Sequence, residues 1–124
     1  MRALGRRRKR KGGWLKSHIA NRYRRAGYQV KKHVITSKGE IDVLVKGRRN
    51  KIAIEVKSGK QTITSTTIRK IHEKAKQVRA KPLLVKGPNT TVTLPAKELA
   101  KELGVHIREW KPPNTRTKRP QRRQ

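Results

Sequence analysis

The chain has 124 residues, enough for one domain with one modest core. Apolar residues make up 31%, and 36 Lys/Arg against seven Asp/Glu give a formal net charge of +29; a compact state so charged repels itself unless a polyanion is its normal partner, which puts nucleic acid first and an anionic membrane surface second. The absence of cysteine excludes disulfides and thiolate metal sites, and no apolar run is long enough for a membrane span or follows the basic N-terminus as a signal-peptide core, so a cytoplasmic protein without membrane contact is expected.

Residues 1–12 hold seven Lys/Arg, among them the run Arg6-Arg7-Arg8-Lys9-Arg10-Lys11. Six adjacent like charges repel one another and favour disorder until a phosphate backbone neutralises them. A disordered, nucleic-acid-binding arm is expected here, with a solubilising tail as the plainer alternative. Setting aside this arm and residues 111–124 leaves 23 basic against seven acidic residues, a formal +16. The folded part is itself basic. Gly13–Ala26 reads as a helix, with Leu15, Ile19, Tyr23 and Ala26 on one stripe and Gly27 suited to end it. Tyr28–Ile35 reads as a first strand with Tyr28, Val30 and Val34 on one face. Thr36-Ser37-Lys38-Gly39 is then a polar turn, in which Ser37 and Lys38 suit a phosphate contact.

Gly39-Glu40-Ile41-Asp42-Val43-Leu44-Val45 and Ile52-Ala53-Ile54-Glu55-Val56-Lys57 are β-branched and aliphatic runs joined by the polar turn Lys46-Gly47-Arg48-Arg49-Asn50-Lys51, the pattern of a hairpin. Three of the chain's seven acids, Glu40, Asp42 and Glu55, fall in these two strands. Alternation puts Glu40 and Asp42 on one face, and Glu55 with Lys57. Ile41, Val43 and Val45 should point away from Asp42, and Ile54 and Val56 away from Glu55. If the acid-bearing faces coincide, carboxylates and an ammonium converge in the middle of a sheet. Such a cluster costs desolvation energy that a divalent cation would offset.

Beyond Lys57, the loop Ser58-Gly59-Lys60-Gln61 offers Lys60 as a further phosphate contact. Thr62–Thr67 supplies several N-cap hydroxyls for a helix to about residue 79. Its buried stripe is Ile68, Ile71, Ala75 and Val78, and its outer face carries Arg69, Lys70, Lys74 and Lys76. Lys81–Lys86 reads as a strand with Pro82 near its start, parallel to an earlier one through the helical crossover. A short edge strand over Thr90–Leu94, a third helix from Pro95 to Leu103 closed by Gly104, and a last strand at Val105–Ile107 complete a domain over 13–110. Residues 111–124 read as a disordered basic tail. The four histidines show no paired metal spacing. Trp14 and Trp110 flank the domain, where they either pack or stack on a base. The class is α/β, with a central mixed sheet flanked by helices.

Asp42 followed by Glu55-Val56-Lys57 on the next strand resembles the metal-binding core of the PD-(D/E)XK nuclease superfamily, Gly39-Glu40-Ile41-Asp42 being a frequent form of its first half. Length and surrounding helices are most similar to archaeal Holliday junction resolvases and small RecB-type nucleases. The resemblance covers residues 13–86 and implies a restriction-endonuclease-like α-β-β-β-α-β core. It further implies a Mg²⁺-dependent DNA endonuclease, with Mn²⁺ as a substitute, acting as a homodimer on branched DNA in recombination or repair. Asp42, Glu55 and the Val56 carbonyl would hold the metal, and Lys57 would orient the attacking water and offset developing charge. The family usually carries a Glu on the first helix, where this chain has Lys16; Glu40 is the candidate to supply the missing charge. Two other readings stand beside this one: a non-catalytic nucleic-acid binder with a nuclease-like fold, and a basic RNA-associated protein. Carboxylates on the strands argue against the last, because a pure phosphate binder gains nothing from them.

Overall fold

A computed structural model describes the backbone of residues 2–111 and the side chains of 13–111. The first helix, α1, runs Arg2–Arg25. It begins well before Gly13 and so passes through most of the segment expected to be a disordered arm. Arg and Lys are good helix formers, and once packing has fixed one part of a helix each further residue adds a hydrogen bond. That packing comes from Leu15, Ile19 and Ala20, all buried, with Tyr23 partly covered. Ala26 lies past the helix end and is exposed. Gly27, at φ 97°, takes the left-handed conformation that closes the turn. The tail expected from Lys111 onward falls, after that residue, outside the described residues.

Strands β1 (Gln29–Thr36), β2 (Gly39–Lys46) and β3 (Lys51–Lys57) form an antiparallel meander. A short strand β4 (Gln61–Ile63) and helix α2 (Ser65–Gln77) lead to β5 (Lys81–Lys86), which pairs parallel with β3 as the crossover requires. Strand β6 (Thr90–Val92), helix α3 (Leu94–Leu103) and strand β7 (His106–Glu109) follow, β7 running parallel to β5. The central sheet is mixed, in the order β1-β2-β3-β5-β7. Thr93 caps α3 by accepting from Ala96 N, and Gly104 ends it at φ 77°. Strand β4 was not expected. Its three residues contain one apolar side chain, Ile63, too few for a periodic pattern, yet that side chain is fully buried and the strand pairs with β6 in a small parallel sheet.

Helix α1 covers one face of the sheet, over Val43, Val45, Ile54, Val56, Leu83 and Val85. Helices α2 and α3 cover the other, with Ile68, Ile71, Ala96 and Ala100 packed around Leu84, and Ala75 against Ile41 and Ala53. Consecutive Leu83, Leu84 and Val85 are all buried, as a strand sandwiched between helix layers requires. At the rim, Trp110 continues the ladder by donating its backbone N–H to the Lys86 carbonyl, 2.8 Å. Its ring meets that of Trp14 edge-on with centroids 5.1 Å apart, and His18 lies against both. The two tryptophans therefore pack on each other.

One feature departs from simple alternation. Val30 packs on the α1 side, whereas Val34 packs with Ile41 and Ala75 on the α2 side. Likewise Val43 faces α1 while Ile41 faces α2. The ladder pairs Lys32 with Val43 and Val34 with Ile41, and between them His33 has φ 56°. Both strands change face together at this level. The expectations that Val30 and Val34 share a face, and that Ile41 sides with Val43, are thus corrected.

The seating of α1 depends on Ile54, fully buried in β3. Ile54→Ala should cost about 2–5 kcal/mol of stability in urea unfolding, through lost transfer energy and the cavity left behind. A cost under about 1 kcal/mol would show that helix and sheet are not packed as described.

Candidate active site

The β2–β3 ladder runs from Lys46↔Lys51 to Val43↔Ile54 and stops there. Just beyond, the Val56 N–H donates to Asp42 Oδ2 at 2.9 Å. A carboxylate thus takes the place of a backbone carbonyl, satisfying a donor that the separating strands would otherwise leave unmade. Asp42 and Glu55, 8% and 9% exposed, are the buried carboxylates among the described residues. Buried charge needs partners, and both have them. Lys16 Nζ of α1 lies 3.3 Å from Asp42 Oδ1. Lys74 Nζ of α2 donates to Glu55 Oε1 at 2.8 Å and also to the Glu40 carbonyl at 2.8 Å. Lys57 Nζ stands 3.6 Å from Glu55 Oε2.

Of the residues singled out in the two strands, the structure joins Asp42 to the Val56 backbone and Lys57 to Glu55, with Asp42 held from α1 by Lys16 and Glu55 from α2 by Lys74. It does not bring the Glu40 carboxylate to them. The change of face at Asp42 turns Glu40 outward, where it meets His33 Nδ1 at 2.6 Å and is about half exposed. Among the described residues no group of three or more His, Cys, Asp or Glu is placed to hold a metal ion. Lys16, which stands where the resemblance would put the family's helix Glu, does face Asp42. The Val56 side chain is buried under α1. Ser37 donates to Gln77 Oε1 at 2.6 Å, while Lys38 and Lys60 are exposed. Arg6, Arg7, Arg8, Lys9, Arg10 and Lys11 lie on α1, with side chains outside the described ones.

Lys74 is the residue that sequence reasoning missed. It was expected on the outer face of α2, yet its side chain is only 12% exposed and ties that helix to both motif strands. The available signal was its spacing: Lys74 follows Ile71 by three residues and precedes Ala75, so it borders the buried stripe. Two carboxylate ligands from adjacent strands are hard oxygen donors that suit a divalent ion completed by water. The ammonium groups of Lys16 and Lys74 mark where positive charge is already favoured, each occupying one carboxylate oxygen. The residues fit a metal held by Asp42 and Glu55, provided those two ammonium groups give way.

The restriction endonuclease family model, Mrr_cat, matches residues 9–111. The chain belongs to that family. Members of such PD-(D/E)XK-type families generally use divalent metal ions, in agreement with the donor set just described. Solved structures share the restriction-endonuclease-like fold at low identity. A crystal structure of a protein of unknown function is 18% identical, with a TM-score of 0.62 over 81% of this chain and 59% of that one. A repair endonuclease from Pyrococcus abyssi is 18% identical, with a TM-score of 0.57 over 75% of this chain and 42% of its own. A structure described as an EndoMS–dsDNA complex is 20% identical, with a TM-score of 0.55 over 70% and 38%. The chain thus spans less than two thirds of each of these structures. A search of curated proteins returned no match.

Two substitutions test the charge balance. Lys16→Glu places a third carboxylate beside Asp42 and should tighten Mg²⁺ or Mn²⁺ binding in calorimetry; unchanged affinity would show that the site does not lack that ligand. Lys74→Met leaves the Glu55 carboxylate short of a partner and should cost about 1–3 kcal/mol in metal-free unfolding. Added Mn²⁺ should then raise the melting temperature of the variant more than that of the wild type.

Proposed function

We propose that the chain is a metal-dependent DNA endonuclease in which Asp42 and Glu55 hold the ion and Lys57 serves the scissile phosphate. The observation that carries this reading is the pair of buried carboxylates at the point where β2 and β3 part, with Lys57 against one of them. Mg²⁺ is the proposed ion, with Mn²⁺ as substitute, and the Val56 carbonyl as a further ligand. When bound, the metal would supply an activated water and neutralise phosphate charge.

The chain's own residues set the geometry. The Val56 N–H fixes one oxygen of Asp42, and the other, which Lys16 now holds, is the one a metal would take. Three ammonium groups surround the two carboxylates, so once a divalent ion had joined them the site would be positive toward an entering phosphodiester. Lys57 is the most exposed of the three ammonium side chains, at 33%, and so the one best able to donate to a non-bridging phosphate oxygen. Lys16 and Lys74 balance charge from the flanking helices. Glu40, held by His33, would act only if it swung inward.

DNA as substrate is supported by the family, and by two neighbours described as a repair endonuclease and as a complex with dsDNA. The finer proposal is a homodimer that prefers branched DNA, as the resemblance to junction resolvases implies. A second reading, a nucleic-acid binder without catalysis, is favoured by one observation: Lys16 stands where the family usually has a metal-binding Glu, and it neutralises Asp42.

Nicking assays on branched and linear DNA decide between them. Glu55→Gln and Asp42→Asn should each reduce Mg²⁺-supported cleavage by at least about a hundredfold while metal-free DNA affinity holds or rises. Lys57→Ala should lose cleavage but keep metal binding. Wild-type protein that binds DNA yet cuts none with either metal would establish the binder, and undiminished cutting by Glu55→Gln would remove the motif from the mechanism.

A further inference from the structure

The end of the sheet away from the carboxylates is rimmed by cations. Strand β2 closes on Lys46, while β3 opens on Lys51 and β5 on Lys81. The register sets Lys46 directly opposite Lys51, and Lys81 opposite the neighbouring Ile52. Like charges facing each other across a strand pair are destabilising. Together with Arg48 and Arg49 of the hairpin and Arg79 after α2, these lysines line a recess of about 350 Å³ that has no acidic residue in its wall. Among the described residues, none of the six cations forms an ion pair.

Arg79 adds an independent observation. It occupies the C′ position of α2 with φ 55°, and Ala80 N closes the turn on the Ala75 carbonyl at 2.9 Å. That position favours glycine, because a Cβ is strained in the left-handed region. An arginine there costs the fold backbone energy and gains no carboxylate partner among the described residues. What it does gain is a place in the recess. Lys51 in turn donates to the Val78 carbonyl at 3.0 Å, holding the end of α2 against the hairpin.

We propose that this recess is a second nucleic-acid backbone site, separate from the cleavage centre, that receives phosphodiester oxyanions. Asp42 and Lys46 lie on the same strand, about 13 Å apart at roughly 3.3 Å per residue. An occupant that bridges the two places must carry charge over that length, which a duplex does in about four base pairs. The cation-lined wall suits phosphate oxygens and offers nothing to a lipid chain. This site rests on the nucleic-acid reading of the chain but not on cleavage.

The test uses the full chain without metal, a two-turn DNA duplex, and fluorescence anisotropy over a salt series, with melting temperature measured in parallel. Arg79→Gly should leave the melting temperature unchanged or higher, since it relieves the left-handed strain. It should also weaken duplex binding several-fold and flatten the plot of log affinity against log salt by about 0.9. Arg48→Gln with Arg49→Gln should flatten it further. Lys101→Gln, an exposed charge on α3, should leave the slope unchanged. The proposal is overturned if Arg79→Gly binds with wild-type affinity and slope, or if Lys101→Gln flattens the plot equally, which would reduce the effect to net charge. It is also overturned if inorganic phosphate raises the melting temperature of wild type but not of Arg79→Gly while duplex binding stays the same, because the recess would then hold a free ion. A wild-type chain that binds duplex through this recess but never cuts it upholds the site and removes only the nuclease reading; one that nicks DNA with metal but binds no duplex removes only the site.

Discussion

One hydrogen bond, from the Val56 backbone to the Asp42 carboxylate, sets the conditions for everything around it. It lets β2 and β3 separate without leaving a buried donor unpaired, and it keeps a negative charge below the surface at the point of separation. Lys16 then has Asp42 to bind while Lys74 binds Glu55 on the neighbouring strand, and their helices are drawn to the opposite faces of the same sheet level. Helix packing and site chemistry are therefore not separable here. The side chains that hold α1 and α2 in register with the strands are also those that set the charge at the centre.

The distribution of acids follows the same constraint. A chain with seven carboxylates and 36 cations has little negative charge to spend, and it places two of the seven where burial makes each most costly. A surface ion pair is worth little, whereas a buried carboxylate short of partners is strongly unfavourable. The placement makes physical sense if the centre must attract a cation within a protein that otherwise attracts anions.

Much of this was legible from residues alone. The hairpin of β2 and β3 followed from two aliphatic runs around a polar turn, and the parallel pairing of β5 from the length of α2. Asp42, Glu55 and Lys57 were marked by acids recurring in hydrophobic strands. The fate of Glu40 was not legible, because alternation assumes a regular strand. A histidine at positive φ leaves no pattern in the sequence, and once His33 adopts it the two strands change face and Glu40 is carried outward. Lys74 was hidden for a different reason. A lysine beside a buried stripe looks like any solvated helix charge until the carboxylate it reaches is known to be buried. The length of α1 was obscured by charge repulsion, which argued for disorder, against helix propensities that argue the other way.

The edge-on contact between Trp14 and Trp110 joins the first helix to the last strand's end. These are the only two tryptophans in the chain, and nearly the whole described domain lies between them in sequence. Closing so long a loop is entropically expensive and is repaid only after the intervening strands have ordered. The tryptophan fluorescence of this protein is therefore an optical report on the docking of the β7 end onto α1. It distinguishes a chain whose sheet is complete from one that has formed only the local hairpin.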